Sequence, residues 1–251
     1  MEKGRDKGQK NGLEMQKIGV IASCYKDKFG TPRQPGLAPS SWARLQIDRE
    51  WQPELALAGL EGFSHLWLIF QFHQNTDLRY HAKVHPPRLG GQSMGVFATR
   101  SPHRPNPIGL SLVKIEAIEK DSILLSGVDV IDGTPVLDIK PYLPEVEAIP
   151  QARSGWSKGL SPSTLRVKWT DEHLKKVQEW SQSLGHQGLK SLIEETLCLD
   201  PRPVVYRGYE GEESPYRQSH AVRLFNGDIH FSFCEDQSIE IHRILIGSEM
   251  P

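Results

Sequence analysis

The chain has 251 residues, of which 37% are hydrophobic and 24% charged, and a formal net charge of −1. This composition excludes a disordered or fibrous chain and allows one or two domains with real cores. The longest apolar run, Leu66-Trp-Leu-Ile-Phe70, is far too short for a membrane-spanning helix, and a near-neutral total charge by itself predicts no nucleic-acid partner.

Residues 1–17 are polar and mixed in charge and lack the apolar stretch of a signal peptide. They read as a flexible tail on a cytoplasmic protein. Residues 18–23 form a first predicted strand, and 26–41 a loop punctuated by Gly30, Pro32, Pro35, Gly36 and Pro39. A strand over 43–48 and a short helix over 51–60, with Pro53 near its first turn, come next. The nearly continuous apolar run 64–72 predicts a strand buried on both faces. Residues 75–94 are a long basic excursion, 95–99 a strand, and 110–118, 122–130 and 135–139 further strands. Short strands separated by Gly/Pro turns predict a mainly β domain over 18–144, a barrel or a sandwich.

Composition changes beyond Tyr142, and 145–164, rich in Pro, Ser and Gly, reads as a linker. Residues 165–169 form a possible strand returning to the first domain. Thr170 is a helix N-cap followed by two acids. Leu174, Val177, Trp180 and Leu184 mark one helical face ended by Gly185, and Leu189, Leu192, Ile193 and Leu197 mark another. Residues 220–246 alternate around an Asn226-Gly227-Asp228 turn, so 170–251 is a small α+β domain. Cys24, Cys198 and Cys234 are too scattered for a redox or zinc pattern and read as reduced thiols.

The richest segment is Gly95-Val-Phe-Ala-Thr-Arg-Ser-Pro-His-Arg-Pro-Asn-Pro-Ile-Gly109. Pro102, Pro105 and Pro107 forbid a helix or central strand and make a stiff loop. Arg100, His103, Arg104 and Asn106 suit that loop to holding an anion; the alternative is a rigid connector with solvated charges. The loop lies in a run, 78–115, without Asp or Glu, whose formal charge of +6 leaves −7 for the rest of the chain. Such a block suits a polyanion, with Arg79, Lys83 and Arg88 as candidate RNA contacts; the alternative is clustering balanced in space by acids elsewhere. Three more segments join Gly or Pro to polar groups near strand ends: 32–37, His73-Gln74 and 132–135. In a barrel such ends can meet at one mouth, a common ligand site. His81 and His85 are four apart, but Pro86 and Pro87 follow and the only nearby acid is Asp77, so a site would need distant ligands and no metal is expected. Neither Gly-x-Ser-x-Gly, a phosphate-binding P-loop, nor Gly-x-Gly-x-x-Gly occurs.

Together with Pro32-Arg-Gln-Pro-Gly-Leu37, Asp132-Gly-Thr-Pro-Val-Leu-Asp-Ile-Lys-Pro141 and Asp200-Pro-Arg-Pro203, this segment closely resembles the signatures of the TrmO (YaeB) family of S-adenosylmethionine-dependent tRNA methyltransferases. The resemblance covers about 18–141 strongly and the C-terminal module more loosely. It implies a single-sheet antiparallel β-barrel, followed here by the small α+β domain, and a homodimer. The implied reaction methylates N6 of N6-threonylcarbamoyladenosine beside the anticodon, in the anticodon stem-loop of tRNA. The implied cofactor residues are Gln34, Pro35, Gly36, His73, Gln74, Arg100, Leu110, Asp132, Gly133, Thr134 and Pro135. S-adenosylmethionine brings an activated methyl, so the protein mainly aligns the partners. A base must take the N6 proton, for which His103 and Asp138 are candidates. Arg104 and Asn106 suit the threonyl carboxylate or the carbamoyl oxygen. Two other readings stand beside this one: a non-catalytic RNA-binding barrel, and a methyltransferase of the same fold with another acceptor.

Overall fold

The computed structural model describes residues 14–75, 80–86, 89, 91–158, 165–202 and 218–250. In chain order the strands are β1 (Gly19–Ser23), β2 (Trp42–Ile47), β3 (His65–Gln71), β4 (Lys83–Val84), β5 (Met94–Gly95), β6 (Ile108–Ile118), β7 (Ser122–Ser126), β8 (Pro135–Pro141), β9 (Arg166–Lys168), β10 (Ser219–Leu224), β11 (Gly227–Phe233) and β12 (Ser238–Ile246). The helices are α1 (Pro53–Ala56), α2 (Pro144–Glu147), α3 (Asp171–Leu184) and α4 (Leu189–Cys198).

Six strands close into a barrel in the order β1-β2-β7-β6-β3-β8, every neighbour antiparallel. Alternate residues point inward, as a pleated strand requires. Ile21, Leu45, Leu66, Leu68, Val113 and Leu125 thereby fill the interior. Each such side chain removed from water stabilises the fold by roughly 2 kcal/mol. β3 shows the alternation clearly: Leu66, Leu68 and Phe70 are buried while Trp67 and Ile69 are half-buried. The strand is therefore not buried on both faces, as its apolar run suggested. Large residues on its outer side are shielded only in part, Trp67 by an edge-on contact with Tyr142 and a hydrogen bond from Nε1 to Glu147 Oε1 (3.0 Å).

Two other expectations change locally. The predicted helix over 51–60 is only α1 flanked by short 3-10 turns at Arg49–Trp51 and Leu60–Gly62. The predicted strand over 95–99 is a single 3-10 turn, Val96–Ala98. Thr99 Oγ1 donates back to the Val96 carbonyl (2.8 Å), an alternative partner that a threonine hydroxyl offers a chain otherwise extended.

Antiparallel closure has a consequence for function. The C-terminal ends of β1, β3 and β7 and the starts of β2, β6 and β8 lie at one end of the barrel. All the loops that carry the Gly/Pro signatures, 24–41, 72–107 and 127–134, emerge there.

The C-terminal unit is a four-stranded sheet, β10-β11-β12-β9, against which α3 and α4 pack. Thr170 caps α3 by accepting from His173 N (3.2 Å), and Gly185, at φ 64, ends it. β9 runs parallel to β12, so residues 166–168 belong to this sheet and do not return to the barrel. Buried residues of the two units form one continuous apolar cluster, from Ile21 and Leu45 through Tyr25 to Trp180, Leu192 and Phe231. Among the described residues no helix is long and apolar enough to cross a membrane.

Candidate active site

The proline loop is held by its own polar groups. Ser101 N donates to Thr99 Oγ1 (3.2 Å), His103 N to Ser101 Oγ (3.3 Å) and Arg104 N to the Pro102 carbonyl (2.9 Å). Arg104 Nη1 donates to the carbonyls of Thr99 (2.8 Å) and Val96 (3.4 Å), and its guanidinium lies over the Phe97 ring. The end of β3 fastens the loop from outside: Phe72 N donates to the Pro107 carbonyl (2.8 Å) and Asn75 Nδ2 to that of Pro102 (3.2 Å). Prolines cannot donate, but their carbonyls serve as the anchors.

Two signature loops meet here. Arg100 Nη1 donates to Gln34 Oε1 (2.7 Å), while Gln34 Nε2 donates to the Arg33 carbonyl (2.5 Å). Beside Pro35, Gly36 at φ 75 docks its N–H on the Gly127 carbonyl (2.8 Å), so the 32–37 loop lies along the rim. Within the electrostatic reach of Arg100 stands Asp129, a carboxylate that the sequence reading missed. Ser111 Oγ, inside the barrel wall, donates to Asp129 Oδ1 (2.5 Å). Burial pushes the Asp129 carboxyl up to about 6, against the lowering influence of the Ser111 hydrogen bond and the Arg100 charge. Leu110, next to Ser111, is 50% exposed at the same mouth.

A second group flanks the first. His73 faces the Asp132-Gly133 turn: a Cβ added at Gly133, which has φ 77, would come 3.9 Å from His73 Nε2. Partial burial and the charge of Lys28 lower the His73 imidazole below its ordinary range. Lys28 Nζ also donates to the Gln74 carbonyl (2.6 Å). Asp132 is engaged in structure, accepting from Ser23 N (2.8 Å) and pairing with Lys26 Nζ (2.8 Å). Thr134 is buried, and its hydroxyl turns back to the Ile131 carbonyl (2.5 Å) just ahead of Pro135, the first residue of β8.

The remaining candidates are spread more widely. His103 packs edge-on against His81, and its Nδ1 is buried with no hydrogen-bond partner among the described residues. Asn106 is exposed, its carbonyl accepting from Ile108 N (2.7 Å). Asp138 stands within β8, bound to Ile139 N (2.9 Å) and paired with Lys140 (2.9 Å), away from the Gln34–Arg100 junction in the hydrogen-bond network. Lys83 is exposed on β4, whereas Arg79 and Arg88 lie outside the described residues. The described part of the Asp200-Pro-Arg-Pro signature follows α4 in the C-terminal unit. Asp200, at φ 48, binds Arg202 through Nε (2.9 Å) and Nη2 (3.0 Å), and Arg202 lies 3.5 Å over the Phe233 ring, a buried clamp of the C-terminal unit. No group of three His, Cys, Asp or Glu side chains placed to hold a metal occurs among the described residues.

A small antiparallel barrel whose rim gathers a guanidinium, amides, a half-buried carboxylate and an exposed apolar side chain defines a ligand-binding barrel built without a dinucleotide-type sheet. Residues 20–148 match the tRNA-methyltransferase O N-terminal domain, and 162–245 match the TrmO C-terminal domain. The chain belongs to the tRNA-methyltransferase O family. It is 43% identical over 205 residues to the tRNA (adenine(37)-N6)-methyltransferase of Escherichia coli, covering 80% of this chain and 86% of that protein. It is 42% identical over 225 residues to a Pseudomonas aeruginosa protein named "Putative S-adenosylmethionine-dependent methyltransferase RcsF", covering 89% and 94% of the two. A crystal structure of TrmO from P. aeruginosa superposes with a TM-score of 0.78 at 36% identity, over 96% of this chain and all of that one.

Proposed function

We propose that this protein transfers a methyl group from S-adenosylmethionine to N6 of adenosine 37 in tRNA, where that nitrogen already carries a threonylcarbamoyl group. The observation that carries this reading is the Gln34–Arg100 hydrogen bond within electrostatic reach of Asp129, which joins two signature loops 66 positions apart into one polar cradle at the barrel mouth. The donor set fits the cofactor's chemistry. Arg100 suits a carboxylate, Asp129 an ammonium, and Leu110 with the loop backbone the face of an adenine. S-adenosylmethionine supplies the activated methyl, and the chain's own residues orient the acceptor and take its proton.

The acceptor N6 bears a carbonyl, so it is a weak nucleophile whose N–H must be removed as the N–C bond forms. His103 is the first candidate to take that proton, its Nδ1 having no hydrogen-bond partner among the described residues; Asp138 is the second, though Lys140 already holds it. Arg104 keeps Nε and Nη2 for the threonyl carboxylate while Nη1 holds the loop, and exposed Asn106 meets the carbamoyl oxygen. In this reading the enzyme is cytoplasmic and works as a homodimer. Exposed Phe97, Val146 and Ile149 support an apolar contact between copies.

Incubation with methyl-labelled cofactor and tRNA, with and without the threonylcarbamoyl group, tests the reading. Label should enter only the modified tRNA. Equal labelling of both would replace the acceptor. Binding of tRNA with neither labelling nor cofactor uptake would leave a non-catalytic RNA-binding barrel.

A further inference from the structure

The C-terminal unit grips the ligand loop of the barrel along most of its length. At its start, Tyr25 pairs with Leu224 in an antiparallel bridge: Phe225 N donates to the Cys24 carbonyl (2.7 Å) and Lys26 N to that of Arg223 (3.5 Å). Next, the Phe29 ring stacks on His220, with centroids 6.1 Å apart and planes 19° apart. Gly30, at φ 93, fits against Val222, where a Cβ would come within 2.7 Å of Cγ1. At its end, Glu195 of α4 takes both donors of Ser40: Oε2 accepts from the backbone N (2.8 Å) and Oε1 from Oγ (2.9 Å). Between these clamps the loop carries Gln34, whose amide oxygen holds Arg100.

We infer that Glu195 is a positioning residue: by fixing Ser40 it sets the 32–37 loop, and through Gln34 the guanidinium of Arg100, in the geometry that receives S-adenosylmethionine. The inference rests on the proposed function, since it names the part of the second unit on which that cofactor site depends. A charged carboxylate accepting two hydrogen bonds is a strong, directional tether. The barrel holds the loop at other points, among them Gly36 N on the Gly127 carbonyl, Ser41 Oγ on the Val128 carbonyl (3.1 Å) and Lys28 Nζ on the Gln74 carbonyl, while the N–H and hydroxyl of Ser40 bond to α4. Through these contacts the C-terminal unit supports the loop that carries Gln34.

Calorimetry with S-adenosylmethionine on the full chain tests this. Glu195→Ala should weaken binding about tenfold, the size expected when a charged pair of hydrogen bonds is lost. Glu195→Gln should restore affinity to within about threefold, because its amide can accept from Ser40 N and donate to Ser40 Oγ. Lys168→Ala, which breaks the Lys168–Asp236 pair elsewhere in the C-terminal sheet, should leave affinity unchanged whatever it does to the melting temperature. Unaltered affinity in Glu195→Ala, or an equal loss in Lys168→Ala, overturns the assignment. Should Glu195→Ala not fold, Ser40→Ala keeps the backbone N–H on Oε2 but removes the Oγ bond to Oε1: binding weakened a few-fold supports the tether, and parental affinity refutes it. Absence of binding by the unaltered protein is a different result, which overturns the functional reading and this assignment with it.

Discussion

At the scale of the residue, Asp129 is the group whose chemistry departs furthest from its ordinary behaviour among the carboxylates of the mouth. Its carboxyl titrates near 6 in the folded chain, against an ordinary value of 3.8. Between those values the folded protein keeps a proton that the unfolded chain has released, so folding stability falls as pH rises through that window. Asp129→Asn does not titrate and can still accept from Ser111. Its stability relative to the parent should therefore rise between pH 4 and pH 7, by at most on the order of 2–3 kcal/mol. Urea unfolding at the two pH values checks this, and a pH-independent difference would refute it. The sequence hid Asp129 because Val128 and Val130 on either side made it one more polar position in an alternating strand. In fact β7 ends at Ser126, and Asp129, three residues beyond it, accepts from Ser111 of β6. That His103 and Arg104 sit in a stiff loop was legible, because prolines restrict the conformations open to the residues beside them.

At the scale of the element, β6 depends on a glycine. Gly109 lies opposite Phe70 in the register, and a Cβ there would stand 2.2 Å from the Phe70 ring. Gly109→Ala must push a ring that is already edge-on to Phe72. It should cost roughly 1–3 kcal/mol, as overpacking of a filled interior does. Chemical denaturation measures the loss, and Phe70→Leu in the same chain should recover part of it, a coupling that a double-mutant cycle isolates. If Gly109→Ala unfolds at the parental midpoint, the close approach is not important. Most barrel strands were readable from alternation and Gly/Pro punctuation, to within a few residues. The 3-10 turn at Val96–Ala98 was not, because a threonine hydroxyl folding back on the carbonyl three residues earlier leaves no periodic signal.

At the scale of the whole molecule, the acid-free run 78–115 sets the long-range field. If it meets the anticodon arm, tRNA affinity should fall steeply with salt, and Lys83→Glu should lower both affinity and the steepness of that fall, by about one counterion in the log–log slope. A salt-independent affinity would remove this face from the RNA interface. The strand order could not be read from composition. Pairings such as Gly19 with Val136 join positions too distant for any local pattern to register, and residues 165–169 were assigned to the wrong sheet for the same reason.

Closure of the barrel also governs what the protein avoids. A sheet edge offers unpaired N–H and C=O groups to any passing strand and is the usual start of aggregation. Here six strands leave no edge at all, and the larger open sheet among the described residues is the C-terminal one. One of its borders is the three-residue β9, with Arg166 and Lys168 at its two ends. The other, β10, has its last residues already bonded to the backbone around Tyr25. The same bridge that grips the ligand loop thus occupies part of a border that would otherwise recruit foreign strands.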